Sequence, residues 1–123
     1  MDTNFLMIPA QYRIDVFEGI KRLVNEPYQL CIFSQSKDEL GKIAPGKGKH
    51  SQAAKAALEL IKQKNLKTLQ ISSNESYIDS IILEHASEKD IVCTQDKALK
   101  RQLLQKMPKI RIIELQRNNL RMR

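Results

Sequence analysis

Ile91-Val92-Cys93-Thr94-Gln95-Asp96 decides how this chain is read. A short β-branched run over 90–94 gives way within two residues to Asp96, and 96–106 reads as a helix that Pro108 stops. Residues 110–115 form the next apolar, Ile-rich run. Strand, helix and strand in succession ask for a right-handed crossover between parallel strands. The same alternation extends toward the N-terminus. Residues 29–33 and 66–71 are short strand-like runs, and helices are expected over 36–43, 50–64 and 76–86. Ala54, Ala57, Leu58 and Ile61 line one face of the second of these, and Ile78, Ile81, Ile82 and His85 one stripe of the third.

The connections are equally legible. Pro45-Gly46-Lys47-Gly48-Lys49 is a loop and Ser72-Ser73-Asn74-Glu75 a polar turn. Near the start, Asp15-x-x-Glu18 opens a helix whose apolar stripe is Val16, Phe17, Ile20, Leu23 and Val24. Gly19 weakens that helix by about 1 kcal/mol relative to Ala. Ile8-Pro9-Ala10 is expected to bend the path before it. The pattern predicts an α/β domain over 1–116, with a parallel sheet covered on both faces, followed by a basic, mobile tail at 117–123.

At 123 residues the chain is the size of one domain, long enough to bury a core without disulfides. Cys31 and Cys93 each sit in an apolar run and neither belongs to a Cys-x-x-Cys pair, which points to reduced thiols and away from zinc. No apolar run reaches the ~20 residues of a membrane span, so a cytoplasmic location is the default expectation. Lys and Arg number 21 against 14 Asp and Glu, a net charge of +7 that favours an anionic partner, nucleic acid first. Aromatic residues are only 5% and Trp is absent, so binding would rest on phosphate contacts and no stacking platform is visible. His50 and His85 read as structural or surface residues.

Four acids fall where an open α/β sheet binds ligands, beyond the carboxyl ends of its strands. Asp2 follows the first strand position, Glu39 and Asp79 begin the helices after the second and third strands, and Asp96 follows the fourth. Each also has a purely structural reading. Glu39 stands three residues after Ser36 and Asp79 three after Ser76, as in capping boxes; Asp96 fits a helix N-cap and Asp2 a turn. If the four converge, their repulsion requires a cation. All-oxygen ligands select Mg²⁺ or Mn²⁺, which can activate water and stabilise charge on a phosphodiester.

These motifs resemble those of the PIN-domain ribonucleases. Asp2-Thr3-Asn4, Glu39-Leu40, Asp79-Ser80-Ile81-Ile82 and Thr94-Gln95-Asp96-Lys97-Ala98-Leu99 match the family's four acidic motifs in order, over nearly the whole chain. Asp2-Thr3-Asn4-Phe5-Leu6-Met7-Ile8-Pro9-Ala10 and Asp96-Lys97-Ala98-Leu99-Lys100-Arg101 look most similar to an archaeal branch related to the eukaryotic nuclease of small-subunit rRNA processing. VapC-type toxins share the same acids. The resemblance implies a three-layer α/β/α fold with a central parallel sheet of order 3-2-1-4-5. It implies Asp2, Glu39, Asp79 and Asp96 as metal ligands, with Thr3, Asn4 and Thr94 as polar support.

The implied activity is Mg²⁺- or Mn²⁺-dependent endonucleolytic cleavage of single-stranded RNA, in rRNA processing or as a toxin; a non-catalytic RNA-binding module is the reading from another class. Implied partners are RNA, with an antitoxin or a ribosome-assembly protein, no membrane, and a homodimer as an open arrangement. Lys97, Lys100 and Arg101 beside Asp96, Lys47 and Lys49 with Lys42 opposite, and the C-terminal arginines are the candidate RNA contacts. One departure stands out. Only Met1 precedes Asp2, so the central first strand is expected to be nearly absent. The strand order that the resemblance implies puts Cys31 and Cys93 on the strands flanking that stub, too far apart to bond across an intact first strand.

Overall fold

Met1 and Asp2 occupy the middle of the sheet. In the computed structural model, which describes residues 1–71 and 77–123, the Met1 ammonium donates to the Cys31 carbonyl and the Asp2 N–H to the Cys93 carbonyl, both at 2.9 Å. Cys31 belongs to β1 (Cys31–Phe33), parallel to β2 (Lys67–Leu69). Cys93 ends β3 (Ile91–Cys93), parallel to β4 (Arg111–Gln116). With the two-residue stub counted as the first strand, the parallel strands run in the expected order 3-2-1-4-5, and one further antiparallel strand follows the fifth. The stub is too short to zip the halves together, and they remain two sheets. Behind Met1 an apolar slot of about 470 Å³ separates them, walled by Ile32 and Phe33 on one side and Val92 and Cys93 on the other. Cys31 is half-buried, Cys93 buried, and both thiols are free.

Strand alternation builds the layers. Ile32, Cys93 and Ile113 point into one core; Val92, Ile112 and the partly buried Phe33 point into the other. The first core is covered by α1 (Thr3–Leu6), α2 (Ile8–Tyr12), α3 (Val16–Leu23), α4 (Ser34–Ile43) and α5 (Lys49–Gln63). Ala53, Ala54, Ala57 and Ile61 form the buried stripe of α5, where small side chains let it lie close to α4 and α2. The second core is covered by α6 (Ile78–His85) and α7 (Lys97–Lys106) through Ile78, Ile81, Ile82, Leu99 and Leu103. This is the expected α/β/α arrangement.

The path breaks at Pro9 as expected: α1 stops at Leu6, and Pro9 sits in the first turn of α2, where its missing N–H costs nothing. Two local expectations are corrected. Ser36 does not cap a helix, because α4 begins earlier, after Phe33. Residues 117–123 are not a free tail. Arg117, at φ 58°, turns the chain into β5 (Asn119–Met122), antiparallel to β4. Leu120 faces Leu115, Met122 faces Ile113 and Arg121 faces Glu114, so the hairpin joins apolar to apolar and cation to acid. Gly19 gains a reason here, since a Cβ on it would lie 2.7 Å from Leu120 Cδ1. The polar turn at 72–75 and the Ser76 half of the Asp79 capping box lie outside the described residues.

Candidate active site

Asp2 is held from three sides. Its backbone is tied to β3, its Oδ1 accepts the Thr3 N–H at 2.8 Å as the N-cap of α1, and its Oδ2 accepts the Thr94 hydroxyl at 2.8 Å. The residue is only 6% exposed. Burial pushes its carboxyl above the ordinary value and the Asp96 charge adds to the rise, while Thr94, the Thr3 N–H and the Met1 ammonium oppose it in part.

Thr94, fully buried just after β3, joins Asp2 to the fourth acid. Its N–H is bound to the Ile113 carbonyl at 3.1 Å, and its hydroxyl oxygen accepts the Asp96 N–H at 3.1 Å while donating to Asp2. Asp96 caps α7, with Oδ1 accepting from Ala98 N at 2.9 Å and Leu99 N at 3.1 Å. The capping role and a place in the site coexist, because one oxygen suffices for the cap.

Glu39 lies in the middle of α4, not in its first turn. Burial raises its carboxyl, the charges of Asp2 and Asp79 raise it further, and the Thr3 hydroxyl and the Lys42 ammonium pull the other way. Ser36, one turn earlier on the same helix face, is fully buried and accepts the Thr3 hydroxyl at 3.0 Å. It locks α4 to α1 beneath the acids. Sequence reading assigned Ser36 to a cap; its i, i+3 spacing from Glu39 was the available signal. Asp79 occupies the first turn of α6, with Oδ1 accepting the Ser80 N–H at 3.0 Å.

All four acids line one cleft of about 580 Å³, together with Thr3, Asn4, Gln35, Asp38, Lys42, Tyr77 and Ile78. Among the described residues this gives five carboxylates against one lysine. The donors are all oxygen, and beyond burial the Asp96 charge raises Asp2 while the charges of Asp2 and Asp79 raise Glu39, so the chemistry of the set fits a hard divalent cation. As placed, no group of three or more His, Cys, Asp and Glu among the described residues is close enough to hold one. Gln35, Asp38 and Tyr77 were not expected here. Gln35 is drawn in by donating to the Ile71 carbonyl at 3.0 Å, a contact between α4 and the end of the β2 segment that spacing cannot show.

The candidate RNA contacts divide. Lys97 and Arg101 project exposed from α7, and Lys47 and Lys49 are exposed at the turn into α5. None of these four lines the cleft. Lys100 is committed elsewhere: it pairs with buried Glu114, which Arg121 also bonds at 3.0 Å. Burial alone would raise Glu114, but the hydrogen bonds and charges of Lys100 and Arg121 hold it below the usual range. Lys100 and Arg121 are thus partners of an internal acid, a role their spacing does not show. No helix among the described residues is long and apolar enough to cross a membrane.

The chain is similar to known proteins over most of its length. The chain is 36% identical over 109 residues to ribonuclease VapC4 of Methanocaldococcus jannaschii, covering 85% of this chain and 80% of that one. It is 28% identical over 123 residues to the rRNA-processing protein fcf1 of Schizosaccharomyces pombe, spanning 98% of this chain but 60% of that protein. The solved structure of the PIN domain endonuclease Utp24 superposes with a TM-score of 0.80 at 28% identity, covering 98% of this chain and 86% of the other. A family model described as a PIN-like domain matches residues 1–118, and the chain belongs to that family.

Proposed function

We propose that this protein is a divalent-metal-dependent endoribonuclease acting in ribosomal RNA processing. The observation that carries the reading is the meeting of Asp2, Glu39, Asp79 and Asp96, from four separate segments, in one cleft. Asp2, Glu39, Asp79 and Asp96 would hold Mg²⁺ or Mn²⁺, which when bound supplies Lewis-acid polarisation of a phosphodiester and acidification of water. Thr94 and the Thr3 N–H aim the two oxygens of Asp2. The cap on α7 fixes Asp96 Oδ1, so its second oxygen is oriented by the same bonds. Thr3, by donating to Ser36, ties α4, which carries Glu39, to the segment that carries Asp2. Asn4 lines the cleft as a polar contact. Lys47, Lys49, Lys97 and Arg101 would hold the RNA backbone outside it, where salt weakens their grip.

The processing role draws support from the match to the rRNA-processing protein fcf1 over 98% of this chain, and the endonuclease activity from the likeness to Utp24. A toxin role, with an antitoxin partner, is favoured by the higher identity to VapC4. The test is cleavage of a single-stranded RNA with Mg²⁺ or Mn²⁺, compared with EDTA. Asp2→Asn and Asp96→Asn should each reduce cleavage to background. Full activity in either variant would refute the assignment, and RNA binding without cleavage in any metal would favour a non-catalytic module.

A further inference from the structure

We infer that Tyr77 is a stacking subsite for an unpaired nucleobase at the rim of the carboxylate cleft. The inference rests on the endoribonuclease reading and gives its single-strand preference a residue. Tyr77 is 70% exposed, more than Tyr12 or Tyr28, and it is the only aromatic among the described residues that line the cleft. Its ring has neither an aromatic nor a cationic partner among the described residues, where Phe33 is paired with His85 and Phe17 with Lys64.

The ring is nevertheless carried on a fixed base. Tyr77 is the N-cap residue of α6, its carbonyl accepts the Ile81 N–H at 3.1 Å, and the adjacent Ile78 is buried in the second core. Asp79 stands two residues further on, so one helix start delivers both an aromatic face and a carboxylate to the cleft.

The electrostatics explain why an aromatic belongs there. A cleft with five carboxylates and one lysine offers phosphate little attraction by itself. A π face binds a base without charge and with little regard to its identity. In a duplex both faces of every internal base are covered by neighbours, so a ring presented in this way reaches only a base free of its stack. The scarcity of aromatics in the chain is therefore compatible with one well-placed ring.

The experiment is equilibrium binding of the full chain to a fluorescently labelled 12-nucleotide RNA and to its duplex. It is done in Ca²⁺, with oligonucleotide length verified by gel afterwards, for the wild type, Tyr77→Phe and Tyr77→Ala. The proposal expects Tyr77→Ala to lose about tenfold in affinity for the single strand and almost nothing for the duplex. Tyr77→Phe should stay within about twofold of the wild type, because the ring and not the hydroxyl does the stacking. Equal affinity of Tyr77→Ala and wild type for the single strand, or equal loss on strand and duplex, overturns the subsite and leaves the nuclease reading standing. A wild type that binds neither RNA overturns both. An unchanged melting temperature for Tyr77→Ala, expected from its exposure, shows that a loss of affinity is not unfolding.

Discussion

Thr94 has one hydroxyl and two acids to serve. It donates to Asp2 and accepts from the Asp96 backbone, in a position without solvent to replace either bond. Thr94→Val keeps the shape and removes both bonds. It should destabilise the fold by about 1–3 kcal/mol, the cost of leaving buried polar groups unpaired. Activity or metal affinity should fall by about 10–100-fold, as for other residues that orient a ligand, and Thr94→Ser should restore most of both. Denaturant melts and Mn²⁺ titrations of the three proteins check this. Glu39 shows the opposite balance, in which a group useful to the site burdens the fold. Its folded pKa lies above the ordinary value, so the unfolded chain gives up this proton first. The charged form therefore costs stability as pH rises through the carboxylate range, and the cost disappears below about pH 4. Glu39→Gln should raise the melting temperature in EDTA at neutral pH, with a smaller gain at high salt and none in acid. A lower melting temperature at neutral pH would contradict the electrostatic reading. Glu114 has the reverse sign. Its depressed pKa means that its contribution is present above the ordinary carboxylate range and is lost as pH falls through the folded value.

The helices that carry acids were legible because periodic apolar residues and Asp caps leave a local record. Asp15 and Asp96 cap α3 and α7 where the pattern placed those helices. The C-terminal strand was missed because charge outweighed alternation. Asn119-Leu120-Arg121-Met122 carries a period of two, but among so many arginines it reads as a solvated tail. Only the pairing with β4 shows that Leu120 packs on Gly19 and Leu115 and that Arg121 answers Glu114. Leu120→Ala should cost about 2–5 kcal/mol, the usual range for a buried leucine. A change near zero in a chemical melt would show that residues 117–123 do behave as a tail.

The two half-sheets meet at a two-residue stub. Met1 and Asp2 reach both half-sheets with one hydrogen bond each, and the slot behind them is lined by the facing residues of β1 and β3. A three-residue apolar extension fused before Met1, matching the length of β1 and β3, should enter the slot and pair with both edges. Thermal melts should then show a higher midpoint, while a Gly/Ser extension of equal length should leave it unchanged. Equal midpoints for the two would mean that the slot does not accept a strand. From the order of residues came the α/β class, the parallel strands, the starts of α3 and α7 and the four acids, because periodicity, caps and turn residues act over a few positions. The tertiary structure alone decided that those acids share a cleft, that Ser36 braces Thr3, that Lys100 belongs to Glu114, and that Tyr77 stands at the rim. These are meetings between segments tens of residues apart, set by crossovers and core packing, and local spacing leaves no trace of them.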